Sequence, residues 1–162
     1  MTERDARFAD ADPDQPLALR AADDADLTVL AALAQDAVLS VGDITYDRRS
    51  RQFALLLNRF RWEDAESARA ENRPFERVRS LLAVGDVMQV RHDGIDRSDP
   101  ATVLSLLDLS WQPGEDGTGT LRLSFAGDGT IAIEAEALSV DLRDVTRPYV
   151  ANSRHMPQHD DA

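Results

Sequence analysis

From Val38 onward the dominant spacing of apolar residues is two, and this limits the fold more than any other feature of the chain. Successive side chains of a strand alternate between faces, so a period of two punctuated by polar turns specifies strands. "VLSVGDITYD" and "RQFALLLNRFRW" are two such runs, joined as a hairpin through the polar turn Asp47 to Ser50. "ERVRSLLAV" and "VMQVRHDGI" follow, split by Gly85-Asp86, and Ser98-Asp99-Pro100 punctuates the chain before "TVLSLLDLSW". That run is apolar on both faces around Leu104 to Leu107, which predicts a central strand buried on two sides.

The next hairpin is the clearest. Leu121, Leu123 and Phe125 share parity with Ile131 and Ile133. A three-residue loop, Gly127-Asp128-Gly129, pairs residues whose numbers sum to 256, keeps those five on one face and sets Arg122 opposite Glu134. After Ala135 the parity flips to Leu138, Val140 and Leu142, so a bulge or corner is expected between Ala135 and Leu138. Ahead of the strands, "ADDADLTVLAALAQDA" reads as a helix with Asp23 as cap and Asp26 in its first turn. Leu27, Leu30, Ala34 and Ala37 share one of its faces, with Leu33 beside them. A short strand at Leu17 to Arg20 precedes it, and residues 63–74 are a charged insertion, a candidate short helix ending at Pro74.

The expected class is α+β: a mainly antiparallel barrel or roll of about eight or nine strands, pleckstrin-homology-like, with one N-terminal helix. A two-sheet β-sandwich is the alternative. Residues 1–16 read as a disordered acidic tail, 17–148 as a single domain and 149–162 as a C-terminal tail.

Composition narrows the chemistry. The chain has no cysteine, which removes thiolate nucleophiles, disulfides and cysteine-ligated metals and fits a reducing cytoplasm. All 18 basic residues are arginine, so lysine Schiff-base chemistry is excluded. A net charge of −12 opposes general binding to nucleic acid or anionic membranes. The N-terminus is polar, without the apolar core of a signal peptide, and no apolar run is long enough to span a membrane. Tyr46 to Arg79 nevertheless carries nine arginines against six acids, a local +3. Such a segment binds an anion or acidic partner, or pairs with the chain's own carboxylates; composition favours the second.

There is no glycine-rich phosphate loop, no Gly-x-Ser-x-Gly elbow and no HExxH. His92, beside Asp93, is a candidate general base near a strand end. His155 and His159 have helical metal-ligand spacing, but Pro157 stands between them, so no metal and no cofactor is expected. Asp108 interrupts an apolar strand, and a buried carboxylate there needs a partner.

The stretch Phe53 to Asp64 is the densest. Its even face reads Ala54, Leu56, Asn58, Phe60, Trp62; its odd face reads Phe53, Leu55, Leu57, Arg59, Arg61, Glu63. The first half is apolar on both sides. In the second half Arg59 and Arg61 are expected on one side, about 7 Å apart, spaced for a carboxylate or phosphate or for internal acids. Asn58 needs a hydrogen-bond partner if buried. Arg59, Arg61, Trp62, Asn58 and Asp108 are the candidate binding residues, with no catalytic residue assigned.

"VGDITY" (41–46), "RQFALLLNRFRWE" (51–63), "TVLSLLDLSWQPG" (102–114) and "LSFAGDGTIAIEAE" (123–136) resemble an uncharacterised alphaproteobacterial family of small acidic proteins, catalogued as a domain of unknown function. The resemblance runs over residues 17–148, most specifically at "LNRFRWE", with "PQH" (157–159) a weaker match. It implies a cytoplasmic bacterial protein and carries over no activity. The expected function is a non-catalytic binding or regulatory domain for an acidic partner or small anion. The alternatives are an enzyme on a small anionic substrate, using Asp108 or His92, and a self-associating structural subunit.

Overall fold

The computed structural model describes residues 15–151 and the two-residue strand β1 (Arg4–Asp5). After β2 (Ala18–Ala21) comes helix α1 (Asp24–Ala34), then β3 (Val38–Ser40), β4 (Ile44–Asp47) and β5 (Gln52–Phe60). A second helix, α2 (Trp62–Ala70), leads to β6 (Glu76–Val84) and β7 (Val87–Asp93). The chain continues through β8 (Val103–Pro113), β9 (Gly119–Phe125), β10 (Thr130–Ala135), β11 (Val140–Asp144) and β12 (Tyr149–Val150).

Hydrogen bonds join the strands in one sheet ordered β1-β2-β11-β6-β5-β3-β8-β9-β10-β7, with β12 beside β6 and β4 beside β5. Every pairing except β1 with β2 is antiparallel. The α+β class is therefore as expected, but the sheet is not closed: β7 ends the path, bonded to β10 alone. β8 pairs with β3 on one side and β9 on the other, so the two halves stay joined through it. Both bury one face in a common core, which unites Phe53, Leu55 and Leu82 with Leu121, Leu123 and Ile133.

Helix α1 forms as its sequence dictates. The Asp23 carboxylate accepts from the Asp26 amide at 2.8 Å, satisfying one of the free donors of the first turn. Leu27, Leu30, Leu33 and Ala34 are buried by the sheet, each leucine contributing roughly 1.5–3 kcal/mol of apolar burial. No helix among the described residues is long and apolar enough to cross a membrane.

Four expectations are corrected. Among the described residues the α-helices are two, not one: the charged insertion folds as α2 and ends at Ala70, four residues before Pro74, because Asn72 takes the left-handed conformation (φ 56). Arg73 N then closes onto Ala68 O, the bond that ends many helices. Second, β5 stops at Phe60, so the alternation counted through Trp62 fails beyond that point. Third, β8 is central but buried on one face only. A bulge between Leu106 and Asp108 turns Leu106 and Leu109 inward, while Leu107 is half-buried and Asp108 exposed. Fourth, the β9–β10 hairpin pairs residues summing to 254: Arg122 faces Ala132 and Glu134 faces Thr120. Gly127 and Asp128, both at positive φ (83 and 69), take the turn, one position earlier than the glycine spacing suggests. Slippage by two preserves the face, so the five apolar residues still meet in the core. The parity flip after Ala135 is the corner at which the chain leaves β10 for β11 in the other half. β12 adds two residues of strand beyond the boundary expected at 148.

Candidate functional site

The odd face of β5 points into the core, and Arg59 follows Phe53, Leu55 and Leu57 along it. Its side chain has no exposed surface. It survives there because acids come to it. Nη1 and Nη2 donate to the two Glu63 oxygens at 2.8 and 2.6 Å, a fork-to-fork pair in the first turn of α2. Nη2 also meets Asp144 Oδ1 at 3.0 Å, and Nε donates to Ser80 Oγ at 3.0 Å. Ser80 Oγ donates in turn to Asp144 Oδ1 at 2.7 Å, and the Leu17 amide donates to Asp144 Oδ2 at 2.8 Å. Burial works against the charge of Arg59, yet the Glu63 hydrogen bonds and the Glu63 and Asp144 charges hold its pKa above the ordinary arginine value. Glu63 shows the counterpart: burial pushes its pKa up, and the Arg59 bonds and charge overcome this and keep it low.

Arg61 does not stand beside Arg59 on a strand face. It sits between β5 and α2 with φ −82 and ψ 77, its amide donating to Glu76 O. Its Nη1 lies 2.6 Å from Glu76 Oε1 and 3.7 Å from Asp64, which Arg73 also reaches. Trp62 donates its indole N–H to Gln35 O at 3.0 Å and packs edge-on against Phe60, ring centroids 4.7 Å apart. Asn58 is half-buried and accepts from Arg77 Nε at 2.7 Å. The candidate residues Asn58, Arg59, Arg61 and Trp62 are thus brought together, but they face the chain's own groups. Asp108 lies apart from them on β8, pointing to solvent.

A different place is open. A cleft of about 1100 Å³ lies between β4 and β7. Ile44 and Tyr46 of β4 form one wall, Met88, Val90 and His92 of β7 the other, and Phe53 and Ile131 lie at its floor. Each wall is the outer strand of its half, since among the described residues β4 pairs with β5 alone and β7 with β10 alone. The cleft therefore occupies the gap that a closed sheet would have filled. Arg48, Arg51 and Arg97 line it against a single acid, Glu136, and Glu136 is taken by Arg51 at 2.9 Å. Among the described residues neither Arg48 nor Arg97 has a carboxylate within ion-pair distance. Arg97 Nη1 stands 3.4 Å from His92 Nε2, so the imidazole is flanked by a cation. The described residues contain no group of three histidines or acids placed to hold a metal; His155 and His159 lie outside them.

Over residues 17–159 the sequence matches a family described as a protein of unknown function, DUF2948. The chain belongs to that family. The DUF2948 match takes in both the Arg59 cluster and the cleft. No curated protein and no solved structure matches the chain.

The sequence pattern does not single out Tyr46, Arg48 or Arg97. Two carried a signal: Ile44, Tyr46 and Arg48 share parity, so Arg48 extends the inner side of β4 past its end. Arg97 carried none, because its place depends on β7 pairing with β10 and on the loop that follows.

Proposed function

We propose that residues 17–148 form a single cytoplasmic α+β domain, an incompletely closed roll of the pleckstrin-homology-like kind, which binds an anionic ligand and does no chemistry on it. The unclosed side is the binding site. In this reading Arg59, Arg61, Trp62 and Asn58 hold the fold together, and Asp108 takes no part.

One observation carries the proposal: two arginines without carboxylate partners among the described residues flank one cleft that also has apolar side chains on its walls, in a chain with 30 acids available to neutralise them. An exposed arginine is ordinarily a solvated one. Here Arg48 and Arg97 share a concavity whose one acid among the described lining residues is already engaged, so the lining carries more arginines than acids within a protein of net charge −12. A ligand with an anionic group and an apolar body fits both features. His92 favours binding over catalysis, since Arg97 Nη1 stands at its Nε2 and, among the described residues, no carboxylate bonds to its ring to orient it as a base.

The test is thermal melting with a panel of carboxylates, phosphates and acidic peptides, for the wild type and for Arg48→Glu with Arg97→Glu. At least one anion raises the wild-type Tm and leaves the double variant unmoved. A panel without any shift, or a shift that persists in the variant, rejects the site.

A further inference from the structure

We infer that the cleft receives an extended acidic segment of a partner protein, added as a strand along the open edge of β7; the inference rests on the anion-binding reading above. The ends of the cleft supply the argument. β7 starts at Val87, whose amide donates to Arg51 O at 3.0 Å, so this end adjoins the turn that carries Arg48. It passes His92 toward Arg97, at the end where Gly42 N donates to Pro100 O at 2.9 Å. β4 runs the opposite way, from Gly42 toward Arg48. The two arginines therefore mark opposite ends of one trough. From Val87 to His92 is five residue steps, about 17 Å at about 3.4 Å per residue. A small anion meets one arginine or the other. Only an elongated ligand meets both.

The walls determine what kind of elongated ligand. Among the described residues β7 has a strand partner on one side only, with Arg51 taking the amide and carbonyl of Val87 at its start, and Gln89 to Asp93 keep regular register with β10 over Thr130 to Glu134. An edge of that length presents unpaired main-chain donors and acceptors, which an alkyl chain leaves unsatisfied and a polypeptide strand satisfies. β7 contains no proline, and Met88 is 48% exposed on it. A strand laid there would alternate its side chains, placing one row over Ile44, Tyr46, Val90 and Ile131. Charge complementarity then asks for acidic residues about four to six positions apart, one for Arg48 and one for Arg97, with apolar residues on the inward positions between them.

Linear peptides of random sequence, displayed on phage and selected against the full chain, provide the test. Enrichment of sequences with two separated acids around alternating apolar residues is expected. The best synthetic peptide should lose about tenfold or more in affinity with Arg48→Glu and with Arg97→Glu singly. N-methylation of its backbone at alternate positions should also abolish binding. Arg122→Glu, an exposed arginine on β9 outside the cleft, is the charge control and should leave affinity unchanged. No enrichment, equal binding to the Arg48→Glu/Arg97→Glu protein, or indifference to N-methylation overturns the inference. Arginine-dependent binding of a short dicarboxylate without any peptide preserves the anion site and rejects the strand. Light scattering that shows a dimer lost in the double variant assigns the trough to a second copy and rejects the partner segment.

Discussion

A guanidinium with no exposed surface is stable only as part of a satisfied set, and Arg59 with Glu63, Asp144 and Ser80 is such a set. Replacing Arg59 by Met leaves two carboxylates buried without their cation. The expected cost is about 3–5 kcal/mol, read as a lower urea midpoint at unchanged slope. The sign of the pH dependence follows from Glu63, whose folded pKa lies below its unfolded value. Its stabilisation is fully present above the unfolded pKa of about 4.3 and is lost as pH falls through the folded one. The gap in midpoint between wild type and Arg59→Met should therefore narrow on acidification from neutral pH, and a constant gap would remove the ion pairs from the account. That Arg59 meets its own acids was legible as the favoured outcome, because acids outnumber bases in this chain. That it does so inside the core was not. Its face is defined by Phe53, Leu55 and Leu57, and a row of leucines does not reveal which of two apolar faces is covered.

At the scale of elements, α2 is the part least visible in the sequence. Phe60 and Trp62 continue an alternation that reads as strand, while the chain turns at Arg61 once Glu76 O takes its amide. Helix-forming residues and the acids Glu63 and Asp64 in the first turn then complete α2. Trp62 ties this helix to the end of α1 through Gln35 O. Trp62→Phe keeps the edge contact with Phe60 and deletes the donor, so a loss of about 0.5–1.5 kcal/mol is expected in denaturant unfolding. A loss several times larger would mean that ring volume, not the N–H, anchors the helix. By contrast the start and the leucine face of α1 were readable, because its cap, its acidic first turn and its leucines all agree, while its end at Ala34 comes before Ala37, which the spacing puts on the same face. The β9–β10 face was also readable while its register was not: parity survives a shift of two, and the positive φ of Gly127 and Asp128 decides the rest.

For the whole molecule, the sheet halves share one core, so the described domain should melt as one unit. Calorimetric and van't Hoff enthalpies should agree, and two resolved transitions would show that the halves are separable on either side of β8. The open trough was not legible because it is a property of what fails to pair. Strand patterns show that β4 and β7 exist, but not that each lacks an outer neighbour. The contact between Leu17 and Asp144 has a topological consequence. Each backbone amide and one carboxylate oxygen bind across that junction, and β2 lies beside β11. The first and last long segments of the domain are thus neighbours, and the path of the chain is nearly a ring. Joining them by a short linker and cutting at Gly127-Asp128 would give a circular permutant that keeps the pairings among β2 to β11, with both of its new ends at a hairpin tip and the β4–β7 trough untouched.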